Sequence, residues 1–282
     1  MKPVIIYPCE FGNINKIDED YKFEQEIAIG QCFETILFNY DDFVFGNKLK
    51  VTSNGNNKPA IYRGWMLKPI DYKRFYNELL AFGYKLINSP EEYENTHYFV
   101  KSYELLQGLT PKTLWYEEGQ QINWNEVRQN FDKFIVKDYV KSVKGFDFPE
   151  YLESSMTDEE LNNYIDKFKQ LRGNLYTGGI VLKQYVELDK KKGHTHEFRA
   201  FYTKGKQIIV YANSDNKEDK IPYETIQLYP IKLLLSSKSN FYTVDFARLS
   251  NGEYIVIEIG DGQVSGIPSK KEAIALYNGF ID

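Results

Sequence analysis

Two carboxylates near the carboxyl end of the chain have the spacing best suited to chemistry. The segment Phe241-Tyr242-Thr243-Val244-Asp245-Phe246-Ala247 leads through Arg248 to Gly252 into Glu253-Tyr254-Ile255-Val256-Ile257-Glu258-Ile259. Asn-Gly is the strongest short-range signal for a two-residue turn, because both central positions need φ > 0. With Asn251 and Gly252 in those positions, Ser250 pairs with Glu253, Leu249 with Tyr254, Ala247 with Val256, and Asp245 with Glu258. The two carboxylates then face each other across the ladder, their Cβ atoms about 4.5–5.5 Å apart. Like charges so placed among Val, Phe and Ile repel, and a divalent cation offsets that repulsion. Magnesium favours one or two carboxylates together with phosphate oxygens. A solvated strand face, or a bulge that shifts the register, would remove the pair.

A triphosphate needs cations and mobile backbone amides around it. Lys137 ends the apolar run Phe134-Ile135-Val136-Lys137, so its ammonium must reach solvent or an anion. Lys144-Gly145 follows in a loop where glycine permits close approach of the backbone. Either lysine, taken alone, reads equally as a surface residue. Arg199, in Glu197-Phe198-Arg199-Ala200-Phe201, lies on a strand with apolar alternates, and its fork suits Glu197 or a phosphoryl group. The run Lys190-Lys191-Lys192 reads as a solvated loop. His97, His194 and His196 have no cysteine nearby and no zinc spacing. The motifs GxSxG, GxxxxGK[ST] and GxGxxG are absent.

The elements that must position these groups alternate. Residues 4–7 and 35–38 read as strands. Tyr72, Phe75, Tyr76, Leu79 and Leu80 form the stripe of a helix that Gly83 ends. Residues 85–87 read as a strand, and Ser89-Pro90-Glu91-Glu92 as a helix start with proline at the first position. Further along come the strand 134–137, a helix over 158–171 with Leu161, Ile165, Phe168 and Leu171 on one face, and the strand 180–186 after Gly178-Gly179. Hairpins turning near Lys204-Gly205 and Asn251-Gly252 precede a final helix over 268–277. Residues 223–237 read as helical, with Pro230 against it. The fold class is α/β with α+β character: a small α/β domain over 1–110 and a second domain over 111–282.

The 282 residues suffice for such cores, with 42% apolar and 16% aromatic residues. No apolar run reaches the roughly 18–20 residues that span a bilayer. The start Met1-Lys2-Pro3-Val4-Ile5-Ile6-Tyr7 reads as a strand rather than a signal peptide. Cys9 and Cys32 form no metal or disulfide pattern, and a reducing cytoplasm is the expected setting. A net charge of −5 argues against broad nucleic-acid binding, and the 23 tyrosines, scattered along the chain, read as core and surface aromatics.

Taken in order, these segments resemble the ATP-grasp superfamily, specifically its phage and bacterial clade named for one arginine and two lysines. Residues 134–145 resemble its first lysine strand and glycine loop, with Lys137 and Lys144 as the lysines; residues 181–187 resemble its hinge strand. The resemblance implies that backbone groups around Gln184 and Val186 meet the adenine edge, that Tyr185 packs near the base, and that Glu187 (or Asp189) holds the ribose. Lys183, on the same strand, joins the nucleotide-binding set. Arg199 would stabilise transferring charge together with Lys144, and Asp245 and Glu258 match the magnesium carboxylates. The segments Tyr62-Arg63-Gly64-Trp65-Met66-Leu67, Leu86-Ile87-Asn88-Ser89-Pro90 and Thr110-Pro111-Lys112-Thr113 resemble the clade's preceding domain, making Arg63 a candidate for a substrate carboxylate; a salt bridge or turn role is the alternative. One departure stands out. Many such ligases carry Glu-x-Asn, whereas here Glu258-Ile259-Gly260-Asp261 puts glycine at the asparagine position, leaving Asp261 or Gln263 as substitutes and a second metal in doubt.

The implied activity is an ATP- and magnesium-dependent carboxylate–amine ligase acting through an acylphosphate, with a small-molecule or peptide acceptor. The alternatives are a kinase or a nucleic-acid end-joining enzyme on the same fold, and a nucleotide-binding module without turnover.

Overall fold

The computed structural model describes residues 2–143, 145, 147–191, 193–212, 235–236 and 238–281. Lys144, and all but two residues of the segment 223–237, lie outside the described residues.

The first sheet is built on β1 (Val4–Glu10), which pairs in parallel with β3 (Thr35–Phe38) and β4 (Lys58–Tyr62) and antiparallel with β2 (Asn13–Ile17). The edge strand β5 (Tyr84–Leu86) joins β4 in parallel. Period-two alternation explains the unbroken apolar run of β1, because both faces are covered. Val4 and Ile6 enter one core with Phe38, Tyr62, Phe75 and Leu79. Ile5 and Tyr7 enter another, with Phe201, Tyr211, Phe241 and Leu276 from the far end of the chain. The helix Pro69–Ala81 starts on its proline and buries Tyr72, Phe75 and Leu79 of the stripe read in the sequence, with Tyr76 partly buried and Leu80 exposed. The next helix, Pro90–His97, is held by a capping box in which Ser89 and Glu92 satisfy each other's backbone amides.

A second sheet has the order β6-β9-β7-β8, from Thr113–Glu117, Gly179–Gln184, Lys133–Lys137 and Leu152–Glu153. It packs Phe134, Val136, Ile180 and Leu182 against Leu161, Ile165 and Phe168 of the helix Asp158–Arg172. Leu171, expected on that buried face, is 43% exposed. β9 ends at Gln184, so Tyr185 and Val186 lie beyond the strand in which they were expected.

After the short ribbon β10 (Lys190–Lys191) and β11 (His194–Thr195), the third sheet has the order β13-β12-β14-β15. Its strands are β12 (Glu197–Thr203), β13 (Lys206–Ala212), β14 (Phe241–Arg248) and β15 (Tyr254–Asp261), all antiparallel. Lys204 and Gly205 both adopt positive φ and close β12 to β13 in two residues, as expected. The β14–β15 connection is different. Arg248 pairs with Tyr254, so the link holds five residues, of which only Gly252 has positive φ. The Asn251 side chain accepts the Glu253 amide at 3.0 Å instead of sitting at a turn centre. The helix Lys270–Asn278 closes the described chain. Among the described residues no helix is long and apolar enough to cross a membrane.

Candidate functional site

Arg199, Asp245 and Glu258 form a row across three neighbouring strands: Arg199 pairs in register with Asp245, and Asp245 with Glu258. The register read from the sequence reaches the same acidic pair by a different count. Near the turn it is off by one, with Phe246 opposite Val256 and Ala247 opposite Ile255, and a bulge between Asp245 and Phe246 restores the pairing. Ile257 is the extra residue, and its carbonyl receives the Lys183 ammonium at 2.6 Å.

The repulsion anticipated between the two carboxylates is met by the chain's own cations. Arg199 binds Asp245 through two bonds of 2.7 Å each, a fork on a carboxylate. Lys137 reaches from the second sheet to Glu258 at 3.0 Å. Burial by itself raises the Glu258 pKa, but Lys137, Lys141 and Lys183 outweigh it and hold the group down at about 2. Burial pushes Asp245 upward against Arg199. Lys183 is buried, lies 4.2 Å from the Phe99 ring centre, and is driven well below the usual lysine range by burial and by Lys137.

Two cavities meet at Glu258. One, of about 440 Å³, lies between the second and third sheets and is lined by Lys137, Lys183, Gln184, Tyr185, Val186 and Glu258 among others. Its volume suits a nucleotide-sized ligand. The backbone amides of Gln184 and Tyr185 are already given to the carbonyls of Lys112 and Lys133, at 2.8 and 3.0 Å. No described group bonds the Val186 amide, which leaves it available for a base edge. Glu187 is exposed and does not line this cavity, whereas Glu197 does. Asp189 is engaged by Arg248 at 3.2 Å. Lys190, read as merely solvated, is part of the cavity wall.

The other cavity is a chamber holding Arg199, Asp245, Glu258 and Lys141. Lys141 has no sequence motif of its own that marks it for this chamber. Asp138 brings it to the site: its buried carboxylate accepts the amides of Val140 and Lys141 at 2.8 and 2.6 Å and folds the chain back after β7. An Asp opening a turn was the available signal.

Arg63 is not at this site. It is 1% exposed, with Nε and Nη2 on Glu24 at 2.6 and 3.1 Å and Nη1 on the Gly262 carbonyl at 2.5 Å. The salt-bridge alternative is what the structure places there, and at 1% exposure the side chain is closed off from a substrate.

Gly260 has a packing reason. A Cβ there would lie 2.9 Å from Thr243 Oγ1 and 3.2 Å from Ser265 Oγ, two hydroxyls bonded to each other at 2.9 Å. Asp261, which also borders the chamber, and Gln263 are both engaged within the fold. Asp261 points to the opposite face of β15 from Glu258 and accepts from Asn88 at 2.5 Å, and Gln263 donates to Tyr72 at 2.8 Å, both fully buried. Among the described residues no group of three or more His, Cys, Asp and Glu gathers. The two facing carboxylates fit a magnesium ion that completes its shell with phosphate oxygens and water.

Sheets that enclose a cavity between them, with a row of charges leading into it, define a mixed α/β clasp. The chain belongs to the family described as ATP-grasp domain, R2K clade family 3, which matches residues 89–278. The fold is that of ATP-grasp ligases. A D-alanine–D-alanine ligase from Bacillus anthracis aligns at a TM-score of 0.60 and 14% identity, over 100% of this chain and 95% of that one. An ATP-grasp RimK domain protein from Sphaerobacter thermophilus aligns at 0.61 and 9% identity, over 99% and 100%. The ATP-grasp ligase PsnB, complexed with a minimal precursor, Mg and ADP, aligns at 0.57 and 12% identity, over 99% and 97%. No curated protein matches the chain by sequence.

Proposed function

We propose that the protein is an ATP- and magnesium-dependent carboxylate–amine ligase that forms ADP. The observation that carries this reading is the row Arg199–Asp245–Glu258, bracketed by Lys137 and Lys141, where a nucleotide-sized cavity meets a second chamber. Tyr185 and Val186 take the base. Lys137, Lys183 and Arg199 take phosphate charge, with Lys144 as a further candidate outside the described residues. Asp245 and Glu258 would hold magnesium, which when bound neutralises phosphate charge and orients the terminal phosphoryl group.

Lys137, Lys141, Lys183 and Arg199 converge with the acidic pair on the two cavities and offer nitrogen donors to a polyanion. An oxygen of the substrate carboxylate attacks the γ-phosphorus and ADP leaves; an amine nitrogen then attacks the acyl carbon, phosphate leaves, and the amine loses a proton. No side-chain nucleophile is required, and the work of the chain is positioning and electrostatic stabilisation. PsnB is a ligase captured with a peptide precursor, which supports a peptide among the acceptors tested. We divide the chain into an acceptor-side unit over 1–110 and an ATP-grasp unit over 111–282. The free thiols Cys9 and Cys32 suit a reducing compartment such as the cytoplasm.

Product analysis tests the reading. Acceptor-dependent release of ADP and phosphate supports it, and AMP release would indicate nucleotidyl transfer instead. The filled space at Gly260 favours one alternative, binding without turnover, which ATP binding without ADP release under any acceptor would establish.

A further inference from the structure

The chamber around Asp245 and Glu258 shares Met66, His97, Val140 and Lys141 with a separate groove of about 510 Å³. The reactive chamber thus lies between the nucleotide cavity, which shares Glu258, and this groove.

One wall of the groove is the segment 65–67, whose backbone is tied down by three tyrosines. The Tyr62 hydroxyl donates to the Trp65 carbonyl at 2.5 Å, and Tyr40 to the Met66 carbonyl at 2.9 Å. Tyr93 donates to the Leu67 carbonyl at 2.7 Å and accepts the Leu67 amide at 3.1 Å. The indole of Trp65 is fixed by Asp18 at 3.2 Å and packs edge-on against Tyr21, the ring centres 5.2 Å apart. With these polar groups satisfied, what the segment offers the groove is apolar: Trp65 is 39% exposed and Met66 42%. Large apolar side chains on a held backbone, beside a cavity, are what an apolar ligand body requires.

Polar groups stand at the junction of groove and chamber. His97 is 8% exposed and stacks on Tyr93 with ring centres 4.8 Å apart, and no described group hydrogen-bonds its ring. Burial, followed by the charge of Lys141, lowers its pKa to about 4, so at neutral pH it is an uncharged imidazole with one donor and one acceptor. The Lys141 ammonium has no hydrogen-bond or ion-pair partner among the described residues. Asp41 and Lys68 also line the groove and would favour a polar body, which makes the choice testable.

We infer that the acid activated at this site is a carboxylate on an apolar body, aromatic or branched aliphatic: the body rests on Trp65 and Met66, and the carboxylate meets Lys141 and the His97 N–H. This inference rests on the ligase reading of the same site.

The test uses the full chain loaded with magnesium and a non-hydrolysable ATP analogue. Four acids are titrated by calorimetry: 3-phenylpropanoate, 4-methylpentanoate, succinate and 3-aminopropanoate. The two apolar acids are expected to bind at least tenfold more tightly than the two polar ones. Replacing Trp65→Ala and Met66→Ala together should reduce that ratio to below threefold, with the melting temperature reporting that the variant folds. Lys141→Gln should weaken all four acids by a similar factor and keep the ratio. Equal or reversed preference, no acid binding to the loaded protein, or an unchanged ratio in the double variant overturns the inference. Nucleotide binding is read in its own titration. Its absence contradicts the ligase reading as well, whereas nucleotide binding without an apolar preference contradicts only the substrate class.

Discussion

Arg63 and Arg199 are both largely buried, and each grips one carboxylate with two nitrogens. Around Arg63 the account closes. Glu24 receives the Tyr277 hydroxyl at 2.6 Å as well as the guanidinium, the remaining nitrogen has Gly262, and the two side chains are 1% and 4% exposed. Around Arg199 it stays open. The Arg199 and Asp245 side chains are 20% and 6% exposed, the row continues to Glu258 and Lys137, and Lys141 stands in the same chamber with no hydrogen bond or close ion pair from its ammonium among the described residues. A buried ion pair alone is weak evidence of function, since structural pairs look the same from either partner. What separates the two is that the Arg199 row, with Lys137 and Lys141 beside it, faces cavities, whereas the Arg63 pair is closed in.

The largest effect should fall on the closed pair. Arg63→Ala leaves Glu24 buried and uncompensated, and urea denaturation should show a loss of about 3–5 kcal/mol. A loss below about 1 kcal/mol would mean that the pair is not the internal brace described here. Arg199→Ala should act on turnover instead. ADP release is expected to fall about 10³-fold, near 4 kcal/mol of activation free energy, and similar losses of stability for both arginines would erase the contrast.

Titration sharpens the comparison next. The Glu258 pKa is depressed from 4.5 to about 2 in the folded chain, so its contribution is present above the unfolded value and is lost as pH falls through the folded one. Acid denaturation between pH 4.5 and about 2 should therefore remove roughly 3 kcal/mol through this group. Glu258→Gln should flatten that part of the profile, and an unchanged profile would break the link to Lys137 and Lys141. A smaller effect is expected at Gly260. Asparagine there would push against Thr243, costing about 1–3 kcal/mol in thermal unfolding, and Thr243→Ala in the same chain should recover part of it.

The sequence carried the elements whose signals are local. Proline at the start of Pro69–Ala81, the capping pair Ser89 and Glu92, and the Lys204-Gly205 turn each fix a boundary through neighbouring residues. The Asp245–Glu258 pair was legible for a subtler reason. A five-residue link and a bulge at Ile257 offset each other, so a count based on a two-residue turn arrived at the correct partners. Neither the bulge nor the longer link has a composition that announces it, because Asn251 serves equally as a turn centre or as a side-chain cap. Arg63 was ambiguous since Glu24 lies far off in the chain, and only the packing of Tyr7 and Tyr277 around them reveals the closed pocket. Lys141 and His97 became visible only once the loop after β7 and the helix Pro90–His97 were placed beside one chamber.

The central claim, that the open charge row is an ATP and magnesium clasp, is tested most directly by calorimetric titration of ATP with and without magnesium. Wild type should bind ATP more tightly when magnesium is present, and Asp245→Asn and Glu258→Gln should each weaken that binding by tenfold or more, about 1.4 kcal/mol. Absence of ATP binding in the wild type, or magnesium-dependent binding that neither substitution changes, would contradict it.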